Sequence, residues 1–201
     1  MNNMNQILWT PTQDQIGTSQ MDAFRKQVNA HFNLNLNNYH DLHQWSVTHI
    51  SDFWKAIWGY MAIEFSSDYT QVVDDETKMP GAKWFEGARF NFAENLLRLR
   101  SDKPAIHFKG EAQPVRTLTY NELFAAVEKL ASALREMGVQ KDDRVAGFMP
   151  NMPETIIAML ATASIGAIWS SSSPDFGIKG VLDRFTQIEP KVLFAANGYF
   201  Y

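Results

Sequence analysis

From Arg144 to Ala196 the chain alternates apolar, charge-free runs with amphipathic stretches, and few folds accommodate that rhythm. RVAGFM (Arg144–Met149) reads as a strand with no charged interior. Asn151 is then expected to cap a helix that opens at Pro153 and closes at Gly166, and AIWSS supplies a second strand. A helix from about Gly177 to Ile188 would point Val181, Leu182, Phe185 and Ile188 inward. Pro190 stops it, and KVLFAA (Lys191–Ala196) makes a third strand. Short links between strand, helix, strand, helix and strand predict an α/β fold, a parallel sheet built from right-handed crossovers.

Ahead of this run, AIHFKG and PVRTL flank Gly110-Glu111 and read as a hairpin. Thr119 and Glu122 form a capping box, and Leu123, Val127, Leu130 and Leu134 follow at helical spacing until Gly138. Residues 1–98 differ in texture. Met21, Phe24, Val28 and Phe32 after Ser19, and Ile50 to Met61 near Ser51, predict short helices with aromatic faces. The segment WFEGARFNFAENLL (Trp84–Leu97) obeys neither helix nor strand spacing. The chain stops at NGYFY, just past the third strand. Three such strands without a further covering helix would leave apolar surface bare, so the sheet is expected to be unfinished.

Composition removes several function classes. Eighteen basic against twenty-two acidic residues leave a net charge of −4, which argues against nucleic acid or an anionic membrane surface as a partner. No cysteine is present, so thiol chemistry and Cys-ligated zinc are excluded, and the usage suits a cytoplasmic protein. The N-terminus lacks the basic and apolar blocks of a signal peptide, and the longest apolar run, Thr155–Trp169, is too short to span a bilayer. No G-x-x-x-x-G-K-[ST] occurs, and Gly177 with Gly180 is only a G-x-x-G. His40, His43 and His49 lack the further ligands zinc requires, so no metal site is expected, and His107 has no acid–base partner in its strand.

Ligands in open α/β sheets sit beyond the carboxyl ends of the strands, which draws attention to SSSSPDFG (Ser170–Gly177). Its backbone N–H groups at a helix start would suit a phosphate or carboxylate; equally, it reads as a Ser/Pro/Asp cap that binds nothing. Arg184 has two readings as well, a surface ion pair or a guanidinium reaching a phosphate near Ser173–Asp175.

The stretch LTYNELFAAVEKLASALREMGVQKDDRVAGFMPNMPETIIAMLATASIGAIWSSSSPDF resembles the opening of the large domain of the adenylate-forming acyl-CoA synthetases. WTPTQDQIGTSQMDAF, YHDLHQWSVTHISDFW and MPGAKWFEGARFNFAENLLR narrow the resemblance to the branch that activates acetoacetate. It implies an N-terminal cap region at 1–98 and the start of an AMP-binding domain at 99–201. It implies a parent enzyme that uses ATP, CoA and Mg²⁺ to convert acetoacetate to its CoA thioester, with acetate or propionate as alternative acids. The family's phosphate loop and catalytic lysine are not in this sequence, so no catalytic residue is assigned and the chain alone is expected to bind neither ligand tightly. Relatives place a Phe-Gly-Gly turn against CoA where this chain has Ser173, Pro174 and Asp175, and an arginine at the position of Arg184, so these four residues are the candidate CoA contacts. Pro and Asp in place of two glycines stiffen the turn and add a negative charge. Trp84, Phe85, Phe90 and Phe92 would be buried anchors, with Arg89, Asn91 and Asn95 fixing backbone. A complete, non-catalytic α/β binding module is the alternative from another class.

Overall fold

The computed structural model describes residues 7–111 and 113–198. The chain forms two compact units, Met1–Arg89 and Phe90–Tyr201.

The first unit contains α1 (Gln13–Gly17), α2 (Gln20–Phe32), α3 (Tyr39–Thr48) and α4 (Ile50–Tyr60), followed by β1 (Gln71–Val73) and β2 (Trp84–Glu86). Ser19 starts α2 as its spacing predicts, accepting the Asp22 N–H at 3.1 Å. Phe24 and Val28 of α2 bury against Leu42 and Trp45 of α3, with Phe53, Ile57 and Tyr60 of α4 packed around them. Phe24 meets Phe53 and Tyr60 edge-on at 6.0 and 5.1 Å, the arrangement that ring quadrupoles favour.

The antiparallel β1–β2 ribbon was not visible in the residue pattern, because three-residue strands carry no measurable period. It is held by Trp58 of α4, which stacks on Phe85 at 4.8 Å and meets Tyr69 edge-on at 5.3 Å. Phe85 is thus an anchor, whereas Trp84, Phe90 and Phe92 are 44, 53 and 57 % exposed, contrary to expectation.

Asp74 closes the ribbon. Its carboxylate accepts the Lys78 ammonium and the Lys83 backbone N–H, each at 2.8 Å. Those bonds, Lys78 first, lower its pKa from 3.8 to about 2. Because the folded value lies below the unfolded one, the stabilisation is present above about 3.8 and disappears as pH falls through about 2. Carboxyl NMR titration should give a midpoint near 2 for Asp74, and Lys78→Ala should raise it.

The second unit begins with α5 (Phe92–Leu97), continues through the hairpin β3 (Pro104–Phe108) and β4 (Arg116–Thr119), and enters α6 (Tyr120–Glu136). Then come β5 (Arg144–Phe148), α7 (Pro153–Ser164), β6 (Ile168–Ser172), α8 (Ile178–Ile188) and β7 (Val192–Ala195). The last three strands form a parallel sheet in the order β6-β5-β7.

Thr119 and Glu122 make both bonds of the capping box on α6, which packs Val127, Ala131 and Leu134 into the main core with Ile157, Leu160 and Ala161 of α7. Val145 at the sheet centre is fully buried in that core. Strand alternation sends Ala146 to the opposite face, the side α8 serves, where Arg144 Nε donates to the Ile188 carbonyl at 2.8 Å. Before β5, Lys191 Nζ bonds the Gly138 carbonyl at 2.5 Å and Asp143 Oδ2 at 2.9 Å, tying the start of β7 to the end of α6.

Two local expectations are corrected. The N-cap of α7 is Met152, not Asn151, and no side chain caps it; Thr155 Oγ1 donates instead to the Pro150 carbonyl at 2.8 Å. On α8 only Phe185 is buried and Leu182 is 56 % exposed, because a single helix face meets the sheet. At the sheet edges Ile168 of β6 and Leu193 of β7 are 50 and 53 % exposed.

Asn91 joins two helix ends in this unit. Its Oδ1 accepts the Glu94 N–H at 3.1 Å, capping α5, while Nδ2 donates to the Ala163 and Ser164 carbonyls at 2.9 and 3.3 Å, the open end of α7. Asn95 Nδ2 returns a bond to the Asn91 carbonyl at 3.0 Å. These two asparagines fix backbone as the sequence implied; for Arg89 the fixing bonds are those of its own main chain to Ser66 and Ser67.

Candidate active-site cleft

Parallel strands put all their carboxyl ends on one side, so the loops after β5, β6 and β7 share one end of the sheet. The chain leaves β5 through α7 toward β6, and β7 lies on the other flank of β5. A crevice therefore opens beyond β5 and β7, where the connections diverge. A cleft of about 840 Å³ occupies that position. Its walls are the loop after β5 (Pro150, Asn151, Met152), the residues after β7 (Asn197, Gly198) and the β3–β4 hairpin.

Across the cleft, Arg116 Nη1 of β4 pairs with Glu154 Oε1 of α7 at 2.5 Å. Both side chains are partly exposed, so the pair contributes at most about 1 kcal/mol and serves mainly to fix the hairpin against the helix start. Glu154 Oε2 is buried without a hydrogen-bond partner among the described residues. Lys109 and Gln113 add a cation and an amide from the hairpin, and Asn151 and Asn197 add amides from the strand ends. The lining offers donors and charge but no histidine and no nucleophile poised beside a base, which is the chemistry of holding a polar ligand.

The candidates named from sequence lie elsewhere at the same end of the sheet. Ser173 Oγ donates to Asp175 Oδ2 at 2.8 Å and accepts the Asp175 N–H at 3.3 Å, a closed turn between β6 and α8 that includes Pro174. Arg184 donates to the Gly180 carbonyl at 2.8 Å and lies 4.3 Å above the Phe176 ring, and it forms no ion pair among the described residues. None of these four residues lines the cleft. His107 Nδ1 is 3.0 Å from Thr117 Oγ1 across the hairpin. Among the described residues no three His, Asp or Glu side chains are grouped to hold a metal.

Residues 92–199, more than half of the chain, match the model of the AMP-binding enzyme family. The chain belongs to that family. Residues 39–96 match a second model, the acetyl-coenzyme A synthetase N-terminus. An acetoacetyl-CoA synthetase of Macaca fascicularis is 47 % identical over 199 residues, which is 98 % of this chain and 29 % of the relative. A malonamoyl-CoA synthetase of Penicillium aethiopicum is 40 % identical over 203 residues, 98 % of this chain and 28 % of the relative. Among solved structures, the acetoacetyl-CoA synthetase from Streptomyces lividans superposes with a TM-score of 0.92 at 42 % identity, covering 98 % of this chain and 31 % of that one. The chain thus spans about 29 % of the length of the curated relatives it matches. The α/β reading and the resemblance drawn from the motifs both hold.

Proposed function

We propose that this chain is the N-terminal region of a cytoplasmic acid–CoA ligase that activates acetoacetate. The observation that carries the reading is identity of 42–47 % across 98 % of the chain, spanning both family matches, to acetoacetyl-CoA synthetases. Among the described residues no helix is long and apolar enough to cross a membrane.

The reaction runs in two displacements. An acetoacetate carboxylate oxygen attacks the α-phosphorus of ATP, the α–β P–O bond breaks and diphosphate leaves. The CoA thiolate then attacks the acyl carbon and AMP leaves with the bridging oxygen. The described residues offer no cluster for Mg²⁺, so no metal role is assigned to them. Their part is scaffolding: the sheet and its strand-end loops form the floor on which the nucleotide-handling polypeptide would be built.

Ser173, Pro174, Asp175 and Arg184 form the proposed CoA-facing rim. To meet a phosphate the guanidinium of Arg184 must exchange its Gly180 and Phe176 contacts for the ligand, a local rotation of an exposed side chain. In the longer enzyme, Arg184→Ala should raise KM for CoA about tenfold, the value of one charge-assisted hydrogen bond, and leave KM for ATP unchanged. Equal effects on both constants would remove Arg184 from the CoA site.

The test of the function is a panel of acetate, propionate, acetoacetate and longer acids with the longer enzyme, followed by formation of AMP and CoA thioester. Acetoacetate should have the highest kcat/KM; a preference for acetate or propionate would assign the enzyme to another acid.

A further inference from the structure

The first unit contains a hollow that the ligase reading does not use. It measures about 230 Å³, below the roughly 300 Å³ at which drug-sized pockets begin, and lies between α2 and α4. Phe24 and Val28 form a buried apolar floor, 6 and 1 % exposed, and Ala56 and Trp58 close the sides. Gly59 opens it further: a Cβ there would meet nothing within 4 Å.

The rim is polar. Lys55, His31, Gln27 and Tyr69 line it above the apolar floor; no carboxylate is among the lining residues, and the nearest named one, Asp68, lies beside Tyr69. The Lys55 ammonium forms no ion pair among the described residues. Burial first, then the neighbouring Asp68 carboxylate, pushes the Tyr69 phenol up, so its hydroxyl stays a hydrogen-bond donor. An unpaired cation beside two further donor-bearing side chains favours an anion, and the aromatic floor favours a flat apolar body attached to it.

We propose that the α2–α4 hollow is a binding site for a small monocarboxylate with an apolar body about the size of benzoate. The carboxylate meets Lys55 and the Tyr69 hydroxyl while the ring lies on Phe24 and Val28. The site is independent of the proposed ligase activity and needs none of the residues assigned to it.

The test uses the full chain, isotope-labelled, titrated with benzoate and separately with benzamide, the neutral isostere. Benzoate should produce saturable amide shifts at Val28, Ala56, Gly59 and Tyr69, with benzamide about tenfold weaker, as loss of one charge-assisted contact predicts. Lys55→Gln should weaken benzoate to the benzamide level, and Gly59→Leu, which fills open space on an exposed helix face, should abolish the shifts while leaving the spectrum folded. Acetoacetate, whose body is polar, should bind at least about tenfold more weakly than benzoate. Shifts confined to other residues, equal affinity for benzoate and benzamide, or binding unchanged in Gly59→Leu would overturn the proposal.

Discussion

Gly147→Ala should destabilise the second unit by about 2 kcal/mol, although the substitution adds one methyl group and removes backbone freedom from the unfolded chain. Gly147 lies in β5, the central strand of the sheet, and an added Cβ would lie 2.6 and 2.7 Å from Cη2 and Cζ2 of Trp169. The indole occupies the space a side chain would take. It reaches across the strand from β6 toward Phe194 of β7, with ring centroids 6.2 Å apart, so one aromatic spans the sheet. Restricting a glycine normally gains about 0.4–1 kcal/mol, and this position is free of the positive φ that would cancel the gain. The steric term, about 1–3 kcal/mol for overpacking a core, is larger and decides the sign. Urea unfolding should show a midpoint lower by about 1 M at unchanged slope. The double variant Gly147→Ala/Trp169→Leu should lose less than the sum of its single variants, since trimming the indole frees the site. Strict additivity would mean that the ring does not enforce the glycine.

Asn91→Ala should cost about 2–3 kcal/mol, more than an ordinary helix cap. Loss of the bond to the Glu94 N–H alone is worth about 1 kcal/mol. The same side chain also donates to the last carbonyls of α7, of which that of Ala163 keeps the Gly166 N–H, and losing these two bonds adds about 1–2 kcal/mol. Asn91→Asp separates the two contributions, because a carboxylate can still cap α5 but cannot donate to Ala163 and Ser164. Asp should therefore recover little, and facing two carbonyl oxygens it should be as damaging as Ala. Recovery of full stability by Asp would show that only the cap matters. Hydrogen exchange at the C-terminal turn of α7 should accelerate in both variants.

How much of this was legible depends on the range of the interaction concerned. The capping box of α6, the hairpin and the three parallel strands follow from local chemistry and from runs long enough to show a period, and all three appear in place. The β1–β2 ribbon was hidden because Val73 pairs with Trp84 across an intervening loop, and three residues per strand give no alternation to count. Asn151 was an attractive cap by residue type, yet the N-cap position before Pro153 falls on Met152, and Thr155 bonds the Pro150 carbonyl instead. Leu182 fits the helical stripe of α8, but the sheet covers only the width of Phe185. Trp84, Phe90 and Phe92 were expected inside because the resemblance places their segment in a cap packed on the large domain; α5 instead turns Ala93 and Leu97, four residues apart, toward α7 and leaves Phe92 outward. The cleft was the least legible feature. Its Arg116–Glu154 pair joins residues 38 apart, and only the tertiary fold brings hairpin and strand ends together.

The proposal that this chain opens an adenylate-forming ligase makes one chemical commitment above the others, namely that acetoacetate is joined to AMP before CoA arrives. The direct measurement supplies the longer protein with ATP, CoA and acetoacetate carrying heavy oxygen in its carboxylate, and reads the label in the nucleotide product by mass spectrometry. AMP bearing one heavy oxygen, released with unlabelled diphosphate, is the predicted result. ADP with labelled phosphate, or AMP without label, would contradict it.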